Sequence, residues 1–142
     1  MRALLVFFAL GDRYDDACEE IISHAQRATS LHRTGDVASA NGALEQSKKA
    51  YHTAKGLSPK EPQADINFGQ VMLNTNHLQE AIKHFKLAKP LLDVSNADGH
   101  AFLDDRMAYA EYGLVSMERD RVYEGGQGNI TRALELMEQQ IA

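Results

Sequence analysis

Residues 66–88 read INFGQVMLNTNHLQEAIKHFKLA, and the fold of the whole chain can be worked out from them. On both sides of Asn74-Thr75-Asn76, apolar residues recur at the spacing of an amphipathic helix. Asn and Thr cap helices well, and Asn also adopts the left-handed conformation that a tight turn requires. The segment therefore predicts two antiparallel helices joined by a short turn.

The preceding residues predict a similar hairpin. Apolar residues recur in steps of three and four from Asp15 until Arg33-Thr34-Gly35-Asp36 interrupts the pattern. A second helix is predicted from Val37, and Gly56 together with the proline-containing residues 58–62 ends it. These two helices form the first hairpin.

A third hairpin is predicted after the middle one. It opens near residues 95–98 and continues to Met117, and the glycine-rich residues 124–129 then break the chain. A last amphipathic helix follows from Ile130 to Ile141, with Asn129 as its N-cap. No run of β-branched or aromatic residues alternates with polar ones, so we expect an all-α fold of about three stacked antiparallel hairpins.

Charge and composition limit the possible functions. The 142 residues carry 15 Lys and Arg against 20 Asp and Glu, a net charge of −5, which disfavours nucleic acid as a partner. A chain of this length buries a sizeable core without metals or disulfides, and the single cysteine, Cys18, has no partner for an internal disulfide. We expect one domain with no cofactor.

The first eleven residues form a separate apolar segment in this interpretation. They precede a predicted turn at Gly11-Asp12, so the division is 1–11 and then a helical repeat domain over 12–142. The apolar run is too short to span a membrane, since eight helical residues cover only about 12 Å. Three alternatives stay open: a docked helix, a secretory leader remnant, or the remnant of a longer chain. A cytoplasmic location is favoured, with a secretory or organellar one if the segment is a leader.

The residues at the inner helix contacts resemble one known family, the tetratricopeptide repeat. The residues that carry this resemblance are Leu31, Gly35-Asp36, Ala40 and Leu44 in the first unit, Phe68-Gly69, Met72, Asn76, Leu78, Ala81, Phe85 and Ala88 in the second, and Tyr109, Tyr112-Gly113, Ala133 and Met137 in the third. Equivalent positions lie 41 residues apart, as from Gly35 to Asn76, against 34 in the common repeat. This spacing is similar to the long-helix variety found in kinesin light chains. An irregular helical bundle is the alternative.

The resemblance implies a right-handed solenoid whose groove is lined by the first helix of each hairpin. In the middle unit this set is Gln63, Ile66, Asn67, Gln70, Leu73 and Asn74. Asn and Gln can satisfy the backbone groups of an extended peptide or a partner helix. The family's clamp for a partner's terminal carboxylate is not expected, because Ala25 and Thr29 stand where it would need Lys and Asn. The alternative is that these amides only face solvent.

Catalytic and metal-binding patterns are weak throughout. His100 and Asp104 lie one helical turn apart, but two ligands do not complete a tetrahedral metal site. Gly125-Gly126-Gln127-Gly128 lacks the Lys-Ser/Thr of a phosphate-binding loop, and the acidic surroundings of Cys18 disfavour a nucleophilic thiolate. We therefore expect no enzyme but a scaffold or adaptor that binds a protein or peptide. The alternatives are a fixed subunit of a large complex and a non-catalytic substrate-binding module of an enzyme.

Overall fold

The computed structural model describes the backbone of residues 2–124 and 130–141, and side chains from Arg13 onward apart from several in the last helix. Within these residues the chain is helical and has no strand, which confirms the all-α prediction. The helices are α1 Arg2–Arg33, α2 Val37–Leu57, α3 Gln63–Asn74, α4 Leu78–Ala88, α5 Ala97–Glu124 and α6 Ile130–Ile141, with a 3-10 turn at Lys89–Leu91.

The first helix differs from the prediction at its N-terminal end. α1 runs without interruption through Gly11-Asp12, where the sequence predicted a turn, so the division proposed at residue 11 falls inside a helix. One interior glycine costs a helix only about 1 kcal/mol relative to alanine, which is too little by itself to end a helix of 32 residues. Among the described residues, no helix combines the length and apolar character needed to cross a bilayer.

The turns of the first two hairpins have the same geometry, 41 residues apart. Gly35 has φ +87° and Asn76 has φ +64°, the left-handed conformation that ends a helix. At the first turn, Asp36 N donates to Leu31 O at 3.0 Å; at the second, His77 N donates to Met72 O at 2.8 Å. Both turns are therefore Schellman-type helix ends.

The helices pack in chain order. α1 lies against α2, α3 against α4 and α5 against α6, while α3 also contacts α1 and α2 and α4 contacts α5. The core runs through the first five helices, with the fully buried side chains of Ile21, Phe85 and Leu103 along it. This arrangement leaves one face of α3 and one face of α5 outside the core.

The middle hairpin is closed by the small and large residues that the sequence indicated. Ala81 and Ala88 are fully buried, and a Cβ atom on Gly69 would lie only 2.7 Å from Cε1 of the Phe85 ring. The absence of a side chain at Gly69 is therefore what allows the aromatic ring to lie directly against the α3 backbone.

Candidate functional site

A line of four amide side chains runs along α3: Gln63, Asn67, Gln70 and Asn74. Their spacing of four, three and four residues places them on one face of the helix, over about 16 Å. Gln63 Nε2 donates to Asn67 Oδ1 at 2.6 Å, and Gln70 Nε2 donates to Asn74 Oδ1 at 2.9 Å. An amide has two donor hydrogens and an acceptor oxygen, so each pair keeps further bonding capacity. We call these four residues the amide stripe.

The other two predicted groove residues lie beside this stripe. Leu73 is only 7% exposed and belongs to the core, while Ile66 is half-buried against it. A molecule lying along the amide stripe would meet Ile66 at its edge, whereas Leu73 supports the surface from below. The structure thus brings together four of the six predicted residues as an accessible polar line.

Contacts with α1 hold the amide stripe in place. The N-terminus of α3 has no side-chain cap of its own, and the Tyr14 hydroxyl accepts a hydrogen bond from Ala64 N at 3.0 Å. Asn67 Nδ2 donates to the Cys18 carbonyl oxygen at 3.1 Å. The tyrosine supplies from another helix the acceptor that the first turn of α3 lacks, so α1 determines where α3 begins and how its polar face is oriented.

A cavity of about 370 Å³ opens at the Asn74 end of the amide stripe. It lies between the last turns of α1, the start of α2 and the α3–α4 turn. Ala28, Ala40 and Leu44 form its apolar wall, and the amides of Asn41 and Asn76 join Asn74 at its exposed edge. Its volume lies within the range of pockets that take small ligands or protruding side chains. We call this cavity the turn cleft.

The two histidines of the turn cleft, His32 and His77, stand at the exposed ends of α1 and α4. Nδ1 of His77 lies 2.8 Å from Oγ1 of Thr75, so the ring is held by its own turn. A second cavity of about 210 Å³ adjoins the cleft, since Leu44 and His77 line both. The two cavities are therefore neighbours, with Leu44 and His77 between them.

A buried polar cluster lies elsewhere, at the junction of α2, α3 and α4. The Asp65 carboxylate is fully buried; it accepts hydrogen bonds from the Tyr51 hydroxyl at 2.6 Å and from Lys55 Nζ at 2.8 Å. His84 Nδ1 lies 3.2 Å from the same carboxylate, and it must be the donor because an ionised carboxylate only accepts. The rings of Tyr51 and Phe68 stack at 4.8 Å, and His84 meets both edge-on.

The electrostatics of this cluster favour an ionised Asp65. Burial by itself raises the pKa of the Asp65 carboxyl, but the hydrogen bonds from His84, Lys55 and Tyr51 together lower it below its ordinary value. Burial and the adjacent carboxylate raise the pKa of the Tyr51 hydroxyl. The cluster joins three helices. Because the Asp65 carboxylate is enclosed and its oxygens are already engaged, it is not available to a ligand.

Sequence reasoning missed both the buried cluster and most of the turn cleft. A signal for the cluster existed in Tyr51 and Lys55, which lie four residues apart on α2, and in His84, which adjoins the apolar Ala81 and Phe85 of α4. For the turn cleft no such signal existed, because its walls come from three separate elements.

The remaining candidate groups have structural partners. His100 Nε2 lies 3.2 Å from the Asp93 carbonyl oxygen, and Asp104 pairs with Lys89. Burial raises the pKa of the Cys18 thiol, with a further contribution from nearby carboxylates, in the predicted direction. Within the described residues, no three His, Cys, Asp or Glu side chains are placed so that they could hold a metal ion together. The predicted glycine loop at 125–128 and the N-cap at Asn129 lie outside them.

The resemblance to the tetratricopeptide repeat rests on short motifs that many helical proteins approximate. Its strongest part is the middle hairpin, where Gly69 and Phe85 are in direct contact. The geometry of the amide stripe and the turn cleft is independent of any family assignment. No protein-family model, no curated protein and no solved structure matches this chain.

Proposed function

We propose that this protein is a non-catalytic scaffold or adaptor built as a tetratricopeptide-like solenoid. In this proposal it binds a segment of a partner protein along the amide stripe and into the turn cleft. The observation that carries it is the alignment of four amides on one face of α3, leading directly to a cavity with an apolar wall.

The repeated turn geometry supports the solenoid. Gly35 and Asn76, 41 residues apart, occupy the same position in turns with the same hydrogen bonds. A helical hairpin cannot bury its apolar face alone, and here each hairpin contacts the next through α3 with α1 and α2, and through α4 with α5. Contacts of this kind between successive hairpins are what a stacked repeat requires.

The amide stripe and the turn cleft suit an extended segment with one apolar anchor. The free donors and acceptors of Gln70 and Asn74 would bond to the backbone of the segment, as edge groups do in strand or peptide recognition. An apolar side chain would enter the turn cleft against Ala28 and Ala40, which are 6% and 5% exposed. Short segments bound in this way have affinities of about micromolar strength.

Affinity purification with matched variants tests this proposal. The tagged protein is purified from its native source at moderate and high salt, alongside a Gln70→Ala/Asn74→Ala variant and an Asn41→Trp variant that fills the turn cleft. Leu73 is left unchanged because it is buried, and its loss would destabilise the fold. We expect one stoichiometric protein to co-purify with the wild type and to be lost from both variants.

The control is a Gln46→Ala/Gln79→Ala variant, which removes two exposed amides on α2 and α4 away from the amide stripe. This variant should retain the co-purified protein. If the Gln70→Ala/Asn74→Ala variant also retains it at high salt, the amide stripe is not the binding surface and the proposal is wrong.

A further inference from the structure

α5 has two lines of side chains on opposite faces. Leu103, Met107, Ala110 and Leu114 follow steps of four and three and pack into the core. The second line follows the same steps on the other face and consists of Asp98, Phe102, Asp105, Tyr109, Tyr112, Ser116, Arg119 and Tyr123. We call this second line the outer seam.

The last helix covers only one end of the outer seam. Gln140 Nε2 donates to Ser116 Oγ at 3.3 Å, and Arg119 Nη1 donates to Gln140 Oε1 at 3.0 Å. α6 has 12 residues and α5 has 28, so their lengths are about 18 and 42 Å. Because Gln140 lies next to the last residue of α6 and is level with Ser116, α6 leaves residues 98–112 of the outer seam uncovered.

The uncovered part of the outer seam consists of three aromatic and two acidic residues. Phe102, Tyr109 and Tyr112 are 40%, 64% and 63% exposed. Asp98 is exposed one turn before Phe102, and Asp105 is exposed between Phe102 and Tyr109; within the described part of the chain neither carboxylate has a hydrogen bond or an ion-pair partner. Large aromatic side chains exposed together on one helix face are typical of an interaction surface.

The charge of this surface indicates which partner fits it. α5 carries seven carboxylates and three arginines, a net charge of −4 out of −5 for the whole chain. The guanidinium of Arg106 already lies 5.2 Å from the centre of the Phe102 ring, which shows that a cation is accommodated beside these aromatic side chains. Lysine or arginine side chains would pair with Asp98 and Asp105 and lie against the tyrosine rings.

We infer that the uncovered outer seam, residues 98–112, is the docking surface for a basic amphipathic helix of a partner protein. The helix continues the line of α6 along α5, with apolar residues in steps of three and four against Phe102, Tyr109 and Tyr112. Its lysines or arginines flank this apolar line and face Asp98 and Asp105. The partner helix would contact the same line of α5 residues, three and four positions apart, that contacts α6 at Ser116 and Arg119.

This surface is separate from the amide stripe and the turn cleft, which lie on α1, α2, α3 and the α3–α4 turn. The protein would then hold two partners at once, an extended segment at the turn cleft and a helix at the outer seam. The two binding events can be tested independently.

The test uses two fluorescent synthetic peptides of about 18 residues, long enough for five helical turns. Both carry the same line of leucines; one has lysines flanking it and the other has glutamates. Fluorescence anisotropy should show the wild type binding the lysine peptide about tenfold more tightly, because two exposed ion pairs replace two like-charge contacts. An Asp98→Lys/Asp105→Lys variant should reverse this preference.

An Asp16→Lys/Glu20→Lys variant is the matched control, since it makes the same change in net charge at two exposed positions of α1. It should keep the preference for the lysine peptide, whereas a Tyr109→Ser/Tyr112→Ser variant should bind that peptide about tenfold more weakly. The inference is overturned if the two charge-reversal variants behave alike, or if loss of both tyrosines leaves binding unchanged.

Sedimentation equilibrium tests whether a second copy of this chain, and not a partner helix, occupies the outer seam. A wild type that dimerises, with the Tyr109→Ser/Tyr112→Ser variant monomeric, would assign the outer seam to self-association and overturn the inference. A Gln70→Ala/Asn74→Ala variant should bind the lysine peptide as the wild type does, so failure of the amide stripe as a binding site leaves this result intact.

Discussion

The middle and last hairpins are closed by different means. In α3–α4, the Phe85 ring lies against the backbone at Gly69 and is fully buried. In α5–α6, the Gln140 side chain donates a hydrogen bond to Ser116 and accepts one from Arg119, and a cavity of about 320 Å³ is lined by Tyr123 and Met137. A small residue opposite a large one brings α3 and α4 together, whereas the described contacts of α5 with α6 include polar side chains.

The two hairpins also differ in how well the lengths of their helices match. α3 and α4 match in length, with 12 and 11 residues, whereas α5 has 28 residues and its partner α6 only 12. The middle hairpin therefore buries its large aromatic side chains, whereas the last hairpin leaves those of α5 exposed. The predictions below test this division, from the largest expected effect to the smallest.

Truncating the buried ring of the middle hairpin should have the largest effect. Phe85→Ala leaves a cavity against Gly69 and should lower the free energy of unfolding by about 3–5 kcal/mol, measured by urea denaturation. Met137→Ala is the counterpart in the last hairpin; because Met137 is 43% exposed, it should cost about 1 kcal/mol or less. Equal losses from the two substitutions would contradict the proposed difference between the hairpins.

Removing the negative charge of the buried cluster should have the second-largest effect on stability. Asp65→Asn keeps the shape of the side chain but leaves Lys55, Tyr51 and His84 without their common carboxylate, which should cost about 3 kcal/mol at pH 7. Lys89→Met removes one partner of the exposed pair with Asp104, and it should change stability by less than about 1 kcal/mol.

The loss of stability caused by Asp65→Asn should become smaller as the pH falls. The pKa of Asp65 is lower in the folded protein than its ordinary value of 3.8, so its stabilising contribution is complete above that pH and is lost as the pH falls through the lowered pKa. The stability difference between wild type and variant should therefore narrow below about pH 4. A difference that instead widens on acidification would show that folding raises the pKa of Asp65, which would contradict this prediction.

Adding one methyl group should have opposite effects at two helical glycines. At Gly69, a Cβ would lie 2.7 Å from a ring that is itself fully buried, so Gly69→Ala should destabilise the protein by about 1–2 kcal/mol despite its better helix propensity. At Gly42 in α2, no atom lies within 4 Å of the added Cβ, and Gly42→Ala should stabilise by up to about 1 kcal/mol. Thermal denaturation followed by circular dichroism measures both.

Local features of the fold were predictable, because local residues cause them. Asn76 adopts the left-handed conformation where the sequence indicated a turn, and α2 ends at Leu57, beside the predicted break at Gly56. The close approach at Gly69 followed from its pairing with a large aromatic residue. The predicted interruption at Gly11 was wrong, since a single glycine costs too little to end a long helix.

The buried cluster and the turn cleft could not be read from spacing. Asp65 lies in the first turn of α3, where the helix dipole already favours a carboxylate, so nothing marked it as buried. Its partner His84 is 19 residues away on another helix. The turn cleft likewise depends on the distance between helices that bring together Asn41 and Asn76, and periodicity along one helix carries no information about that distance.

Removing two exposed aromatic rings should have the smallest effect on stability. Tyr109 and Tyr112 are 64% and 63% exposed, so Tyr109→Ser/Tyr112→Ser should change the free energy of unfolding by only about 0.5 kcal/mol. In the middle hairpin, Phe68→Ser removes a ring that is 5% exposed and stacked on Tyr51, and it should cost at least about 3 kcal/mol. If loss of the two tyrosines were as destabilising as loss of Phe68, the outer seam would be part of the core in solution. A small change in stability together with a large loss of peptide binding would instead show that these rings are kept at the surface for recognition.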